Sequence, residues 1–170
     1  AFAELPSSVE GNFRYSTTWF ETFNRQVLGA LGVSERKQPA AHEDLVARFE
    51  SAKTYKLFPE VASVLTELAN LNLILGVVSN WSERLDTLLV RLGIRDSFAF
   101  VVSSADVKSE KPDRAIFDRA LFRAGVAAEE AVHLGDHMDR DVRGALRAGL
   151  RAAHLDRTVD AVGTLDGVPV

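Results

Sequence analysis

The chain has 170 residues (18.6 kDa), is 46% hydrophobic and 26% charged, and carries a net charge of −4 from 20 Lys and Arg against 24 Asp and Glu. That suffices for one domain, or one domain with a small appendage, and offers no basic excess for nucleic acid or an anionic membrane surface. Having no cysteine, the chain has no disulfide, thiolate metal site or cysteine nucleophile, which fits a reducing compartment such as the cytoplasm.

The longest apolar run, Leu73 to Val78, is far short of the roughly 20 residues of a membrane span. No basic segment followed by an apolar one opens the chain, so a signal peptide is not expected. The first residue is Ala1 rather than Met, and the sequence reads as a fragment of a longer protein.

Elements follow in chain order. Trp19, Phe20, Phe23, Val27 and Leu31 keep helical spacing and predict an amphipathic helix over Tyr15 to Leu31, stopped by Gly32. After Pro39 a shorter helix is predicted from Ala41 to Ser51, with Leu45, Val46 and Phe49 inward. No strand is expected in the first 55 residues. Beyond Pro59 the pattern changes. Val61, Val64, Leu65, Leu68 and Leu71 mark a helix, and LILGVVSN after it reads as a buried strand. Leu85, Leu88, Leu89 and Leu92 predict a helix closed by Gly93, and Phe98 to Val102 a strand. Ile116, Phe117, Ala120 and Leu121 predict a helix closed by Gly125, and Ala131 to Gly135 a strand. Val142, Ala145 and Leu146 mark a last helix, and Arg151 to Leu155 a weak last strand.

Helix and strand in alternation indicate an α/β fold, a Rossmann-like parallel sheet with helices on both faces and right-handed crossovers. Ligands of such sheets bind beyond the carboxyl ends of the strands. The residues there are Ser79 and Asn80, Ser103 and Ser104, and Gly135 and Asp136.

In GDHMDRD, Asp136 ends a strand, and Asp139 and Asp141 follow in a first helical turn. Carboxylates clustered at a strand end suit magnesium; the same acids also serve as N-terminal helix charges. In SEKPDRAIF, Pro112 and Asp113 are ordinary helix-start residues. Lys111 before them is either a solvated loop lysine or a cation that offsets phosphate charge, and Lys108 reads as solvated. Ser79 leaves the most apolar strand and has a hydroxyl able to donate to an oxyanion, while Ser82 is the better placed helix cap. Trp81 either lines a pocket or packs. His133 is expected buried and hydrogen-bonded, His137 to face substrate or water, and His42 and His154 carry no signal. There is no dinucleotide fingerprint, P-loop or nucleophile-elbow serine.

Ser79 in VVSNWS, then Lys111 in EKPDRAIFDRAL, then Gly135, Asp136 and Asp141 in HLGDHMDRD resemble the second, third and fourth motifs of the haloacid dehalogenase-like hydrolase superfamily. The resemblance covers about Leu57 to Leu155. It implies a partial helical cap at 1–55 and an α/β core at 56–170 lacking its first strand. It also implies magnesium-dependent phosphomonoester hydrolysis through an aspartyl-phosphate. Ser79 and Asn80 would bind the phosphoryl group, Lys111 would neutralise nucleophile and phosphate, and Asp136 and Asp141 would hold magnesium, Asp141 directly or through water. The substrate implied is a small phosphorylated metabolite, with no nucleic-acid or membrane partner, in the cytoplasm. The family's first motif, with the nucleophile, is expected before the cap, so the 170 residues alone should be inactive. DAVGTL from Asp160 imitates that motif, but its polar lead-in through Asp156 and Arg157 argues against a buried strand, and Asp160 is expected in an exposed loop. The alternatives are a non-catalytic scaffold and a 2-haloacid dehalogenase; Gly135 and Asp136 favour the phosphatase.

Overall fold

The computed structural model describes residues 8–158, 164–165 and 168–169. The chain divides into two compact units, one from the residues up to Leu75 with Trp81–Ala99, the other from Gly76–Asn80 with the residues from Phe100 onward.

The first unit opens with a small hairpin, β1 (Ser8–Val9) antiparallel to β2 (Asn12–Phe13). No strand was expected here. Its ladder is too short for alternation to show, and the turn rests on Glu10 and Gly11, both at positive φ. Helix α1 (Thr17–Ala30) is capped by the Ser16 hydroxyl, which accepts from the Trp19 amide at 3.1 Å. Gly32, at φ +79°, lets the chain leave it. Helix α2 (Gln38–Phe49) takes Pro39 into its first turn rather than starting after it, because proline lacks only an amide that the first turn leaves unpaired. Helices α3 (Val61–Asn70) and α4 (Leu85–Arg91) complete the unit.

Trp19 is fully buried and stacks on Phe23 at 4.8 Å between ring centroids, with Phe20 edge-on at 5.1 Å. Leu45 and Phe49, expected inward, are 44% and 42% exposed. The reason is that α2 faces a cavity of about 380 Å³, whose apolar wall includes Phe20, Phe23, Leu45, Val46 and Phe49. Trp81 packs: it stacks on Phe49 at 5.1 Å and meets Tyr55 edge-on at 6.2 Å. Glu50 ties α2 to the α4 segment, accepting from Arg84 at 2.8 Å, while Arg91 reaches its carbonyl at 2.9 Å.

The second unit is α/β. Strand β3 (Gly76–Ser79) pairs in parallel with β4 (Phe100–Ser103), and β5 (Val132–Gly135) in parallel with β6 (Arg151–His154). Among the described residues these are two separate two-stranded ladders rather than one continuous sheet, since each strand pairs only with its neighbour in sequence. Helices α5 (Ser104–Val107) and α6 (Arg114–Ala124) follow β4. After β5 a π-helical turn, Met138–Arg143, runs into α7 (Gly144–Arg147). The core gathers Val102, Ile116, Phe117, Val142, Ala145 and Leu150, so α6 covers the β3–β4 pair while the π turn and α7 cover β5 and β6.

Leu73 and Ile74, read as strand, precede β3 and are exposed. Strands β7 (Thr164–Leu165) and β8 (Val168–Pro169) form an antiparallel ladder. Asp160 lies outside the described residues.

Candidate active site

The site is built within the second unit at the carboxyl ends of β3 and β5. Strand β3 runs in register with β4, Gly76 opposite Phe100 and Ser79 opposite Ser103. Gly76 is required for that pairing, since a Cβ there would enter the Phe100 ring. The strand delivers Ser79 and Asn80 to its end.

Lys111 reaches this end from the loop before α6. Its ammonium donates to the Val78 carbonyl at 2.9 Å and pairs with Asp141 Oδ1 at 2.5 Å. Its backbone is held as well: the Lys111 amide donates to Asn80 Oδ1 at 2.7 Å, and Asn80 Nδ2 donates to the Lys111 carbonyl at 3.0 Å. The Lys111 and Asp141 side chains are only 12% and 5% exposed.

Asp141 projects from the π turn back toward β5. Its Oδ1 also accepts from His133 Nε2 at 3.2 Å, and its Oδ2 accepts from the His137 amide at 3.0 Å. Burial alone would raise its pKa. The His133 hydrogen bond, the Lys111 charge and hydrogen bond, and the His137 amide outweigh that and hold the carboxyl well below its ordinary 3.8. The carboxylate occupies the space where a Cβ on residue 135 would stand. Gly135 is therefore what lets the strand pass so close to the acid.

The remaining acids are placed differently. Asp136 is exposed, and its carboxylate makes no hydrogen bond or ion pair among the described residues; its carbonyl accepts from His154 Nε2 at 3.0 Å. Asp139 pairs with Arg143 one turn on, at 2.6 Å. His137 turns inward to its own helix, Nδ1 accepting from the Arg140 amide at 3.3 Å.

Of the residues singled out in the sequence, Asn80, Lys111 and Asp141 form one connected chain of contacts. Ser79 is their neighbour on β3, and Asp136 stands at the end of β5. His133 is the participant that motif spacing missed. Strand alternation contains the signal, because residues 133 and 135 share a face, and the Gly135 face is where Asp141 lies. His133 also packs edge-on against Phe117 at 5.3 Å.

No three His, Cys, Asp or Glu side chains converge into a metal cage among the described residues. Magnesium needs no such cage; one or two carboxylates suffice when water and phosphate complete the shell. Asp136, with an unengaged carboxylate at the strand end, fits as such a ligand. Asp141 has both oxygens engaged by protein donors. No helix among the described residues is long and apolar enough to cross a membrane.

The chain is 35% identical over 157 residues to the haloacid dehalogenase-like hydrolase domain-containing protein 3 of Danio rerio, covering 90% of this chain and 64% of that one. It is 36% identical over 153 residues to a phosphoserine phosphatase of Thermus thermophilus, covering 85% of this chain and 61% of the relative. The chain thus spans less than two thirds of the length of either. Among solved structures, a 2-haloacid dehalogenase from Pseudomonas syringae superposes with a TM-score of 0.71 at 31% identity, covering 89% of this chain and 64% of the other. The profile of one family, haloacid dehalogenase-like hydrolase, matches residues 13–155. That match takes in Ser79, Lys111, Asp136 and Asp141, and the chain belongs to the haloacid dehalogenase-like hydrolase family.

Proposed function

We propose that these residues belong to a phosphatase that hydrolyses a small phosphorylated metabolite in the cytoplasm, with magnesium, through an aspartyl-phosphate. In this reading residues 1–55 are part of a helical cap and 56–170 most of the catalytic core. On this reading the nucleophilic aspartate lies outside the 170 residues, in whose sequence no apolar run ends in Asp-X-Asp.

One observation carries the reading. A lysine ammonium has three protons to donate. Two of those on Lys111 are directed at the Val78 carbonyl and Asp141, which leaves one for a phosphate oxygen. The ammonium is thus fixed before substrate arrives, as phosphoryl transfer requires of its positive charges. Asp141 balances the lysine charge, and its depressed pKa keeps it anionic. Ser79 donates its hydroxyl to the phosphoryl group. Asp136 would hold magnesium, with Asp141 beside it. Magnesium, when bound, compensates phosphate charge.

A second reading, dehalogenation, has the Pseudomonas syringae likeness behind it. The test is the longer protein, residues preceding Ala1 included, assayed for phosphate release from an aryl phosphate and for halide release from a 2-haloacid, with magnesium and with chelator. The phosphatase reading expects metal-dependent phosphate release on the order of 1 per second or more, lost in Asp136→Ala. Halide release unaffected by chelator would replace it with the dehalogenase reading. Neither product would favour the non-catalytic scaffold. The 170 residues alone are expected to release neither.

A further inference from the structure

The Asn80 amide group, expected to face substrate, has both its polar ends turned to protein. Oδ1 accepts from the Lys111 amide at 2.7 Å and Nδ2 donates to the Lys111 carbonyl at 3.0 Å. One side chain therefore closes a paired hydrogen bond around a single residue 31 positions away in sequence. Only a side-chain amide presents an acceptor and a donor side by side in this way. The pairing matches what a neighbouring strand would offer, yet the partner is a loop. Two residues earlier, on strand β3, Val78 accepts from the Lys111 ammonium. Strand β3 thus grips Lys111 at its backbone through Asn80 and at its tip through Val78.

We infer that Asn80 is a positioning residue, which sets the Lys111 main chain and through it the ammonium, and that its side chain does not itself bind substrate. Among the described residues, the Lys111 amide and carbonyl bond to no strand or helix main chain. Without the clamp the lysine would keep its charge pair with Asp141, but its backbone would be free to move. The loss would then fall on how well the remaining ammonium proton is aimed, and not on the presence of the charge. The hydrogen bonds stand apart from the phosphatase reading; only the activity arm of the test rests on it.

The first arm uses the 170-residue chain and needs no activity. In amide hydrogen exchange followed by NMR, Asn80→Ala should speed exchange at the Lys111 amide by about tenfold, the scale of one lost hydrogen bond. The amides of Val77 and Val78, which belong to the β3 strand, should stay as protected as before. Equal exchange at Lys111 in both proteins overturns the inference. If Asn80→Ala does not fold, Asn80→Asp keeps the acceptor and loses the donor. The Lys111 amide should then stay protected while its carbonyl carbon resonance shifts, and an unmoved carbonyl resonance overturns the clamp. The second arm uses the longer, active protein. Asn80→Ala should lower kcat with little change in KM, and should add less than about twofold to Lys111→Met. An additive loss, or a loss in KM alone, would make Asn80 a substrate contact instead. A longer protein with no phosphatase activity would refute the functional reading and leave the first arm standing.

Discussion

The two units are held by different forces. At the second unit's site, a half-buried cation and a buried anion are pinned by hydrogen bonds, and each of the two has a partner. Around Trp19 in the first unit, rings stack on rings, and α2 shows Leu45 and Phe49 partly to solvent. The site depends on direction and charge, so a change of one atom matters there. The helical region depends on area and shape, so a truncation matters where packing is complete and little elsewhere.

The comparison is tested most strongly by a matched pair of truncations. Asp141→Ala leaves the Lys111 ammonium buried without a counter-charge, and should cost about 3–5 kcal/mol in urea unfolding. Trp19→Ala removes a fully buried indole and should cost about 3–5 kcal/mol as well. Acid separates the two. The folded Asp141 carboxyl titrates below its ordinary 3.8, so its contribution is complete above that pH and is lost as pH falls through the depressed value. The gap between wild type and Asp141→Ala should therefore narrow below about pH 4, while the Trp19→Ala gap holds. A Trp19→Ala gap that closed in step would show that the two regions are not held differently.

Smaller effects sharpen the contrast. Gly135→Ala should cost about 1–3 kcal/mol, because the new methyl displaces the Asp141 carboxylate; the displaced acid should be visible as a rise in its pKa by carboxyl NMR. His133→Leu removes one donor to Asp141 and should cost about 1–2 kcal/mol, with the ion pair to Lys111 retained. Least affected is Leu45→Ser, on the exposed side of α2, which should change stability by about 0.5 kcal/mol or less. A large loss at Leu45 would mean that its exposed face is covered in solution.

Much of the second unit was readable before any coordinates. Ser79 and Asp136 stand where apolar runs end, and ligands of parallel strands gather at such ends. Gly125 and Gly32 stop helices because their backbone angles are ones that other residues avoid. The first unit was less readable. Periodicity places Leu45 and Phe49 on one face of α2, but cannot say whether that face meets core or a cavity. Nor can it reveal a hairpin whose strands are two residues long.

The sequence by itself determined the alternation of helix and strand, the strand-end positions of the polar residues, and the family, because these depend on local order along the chain. Tertiary structure alone decided which polar group answers which. It turned Asn80 onto the Lys111 backbone, set His133 against Asp141, and left the Asp136 carboxylate unengaged while Asp141 met Lys111. Those pairings join residues 8 to 31 positions apart, and a hydrogen bond is set by distances of about 3 Å and by direction. Spacing along the chain constrains neither until the strands and the π turn have been packed.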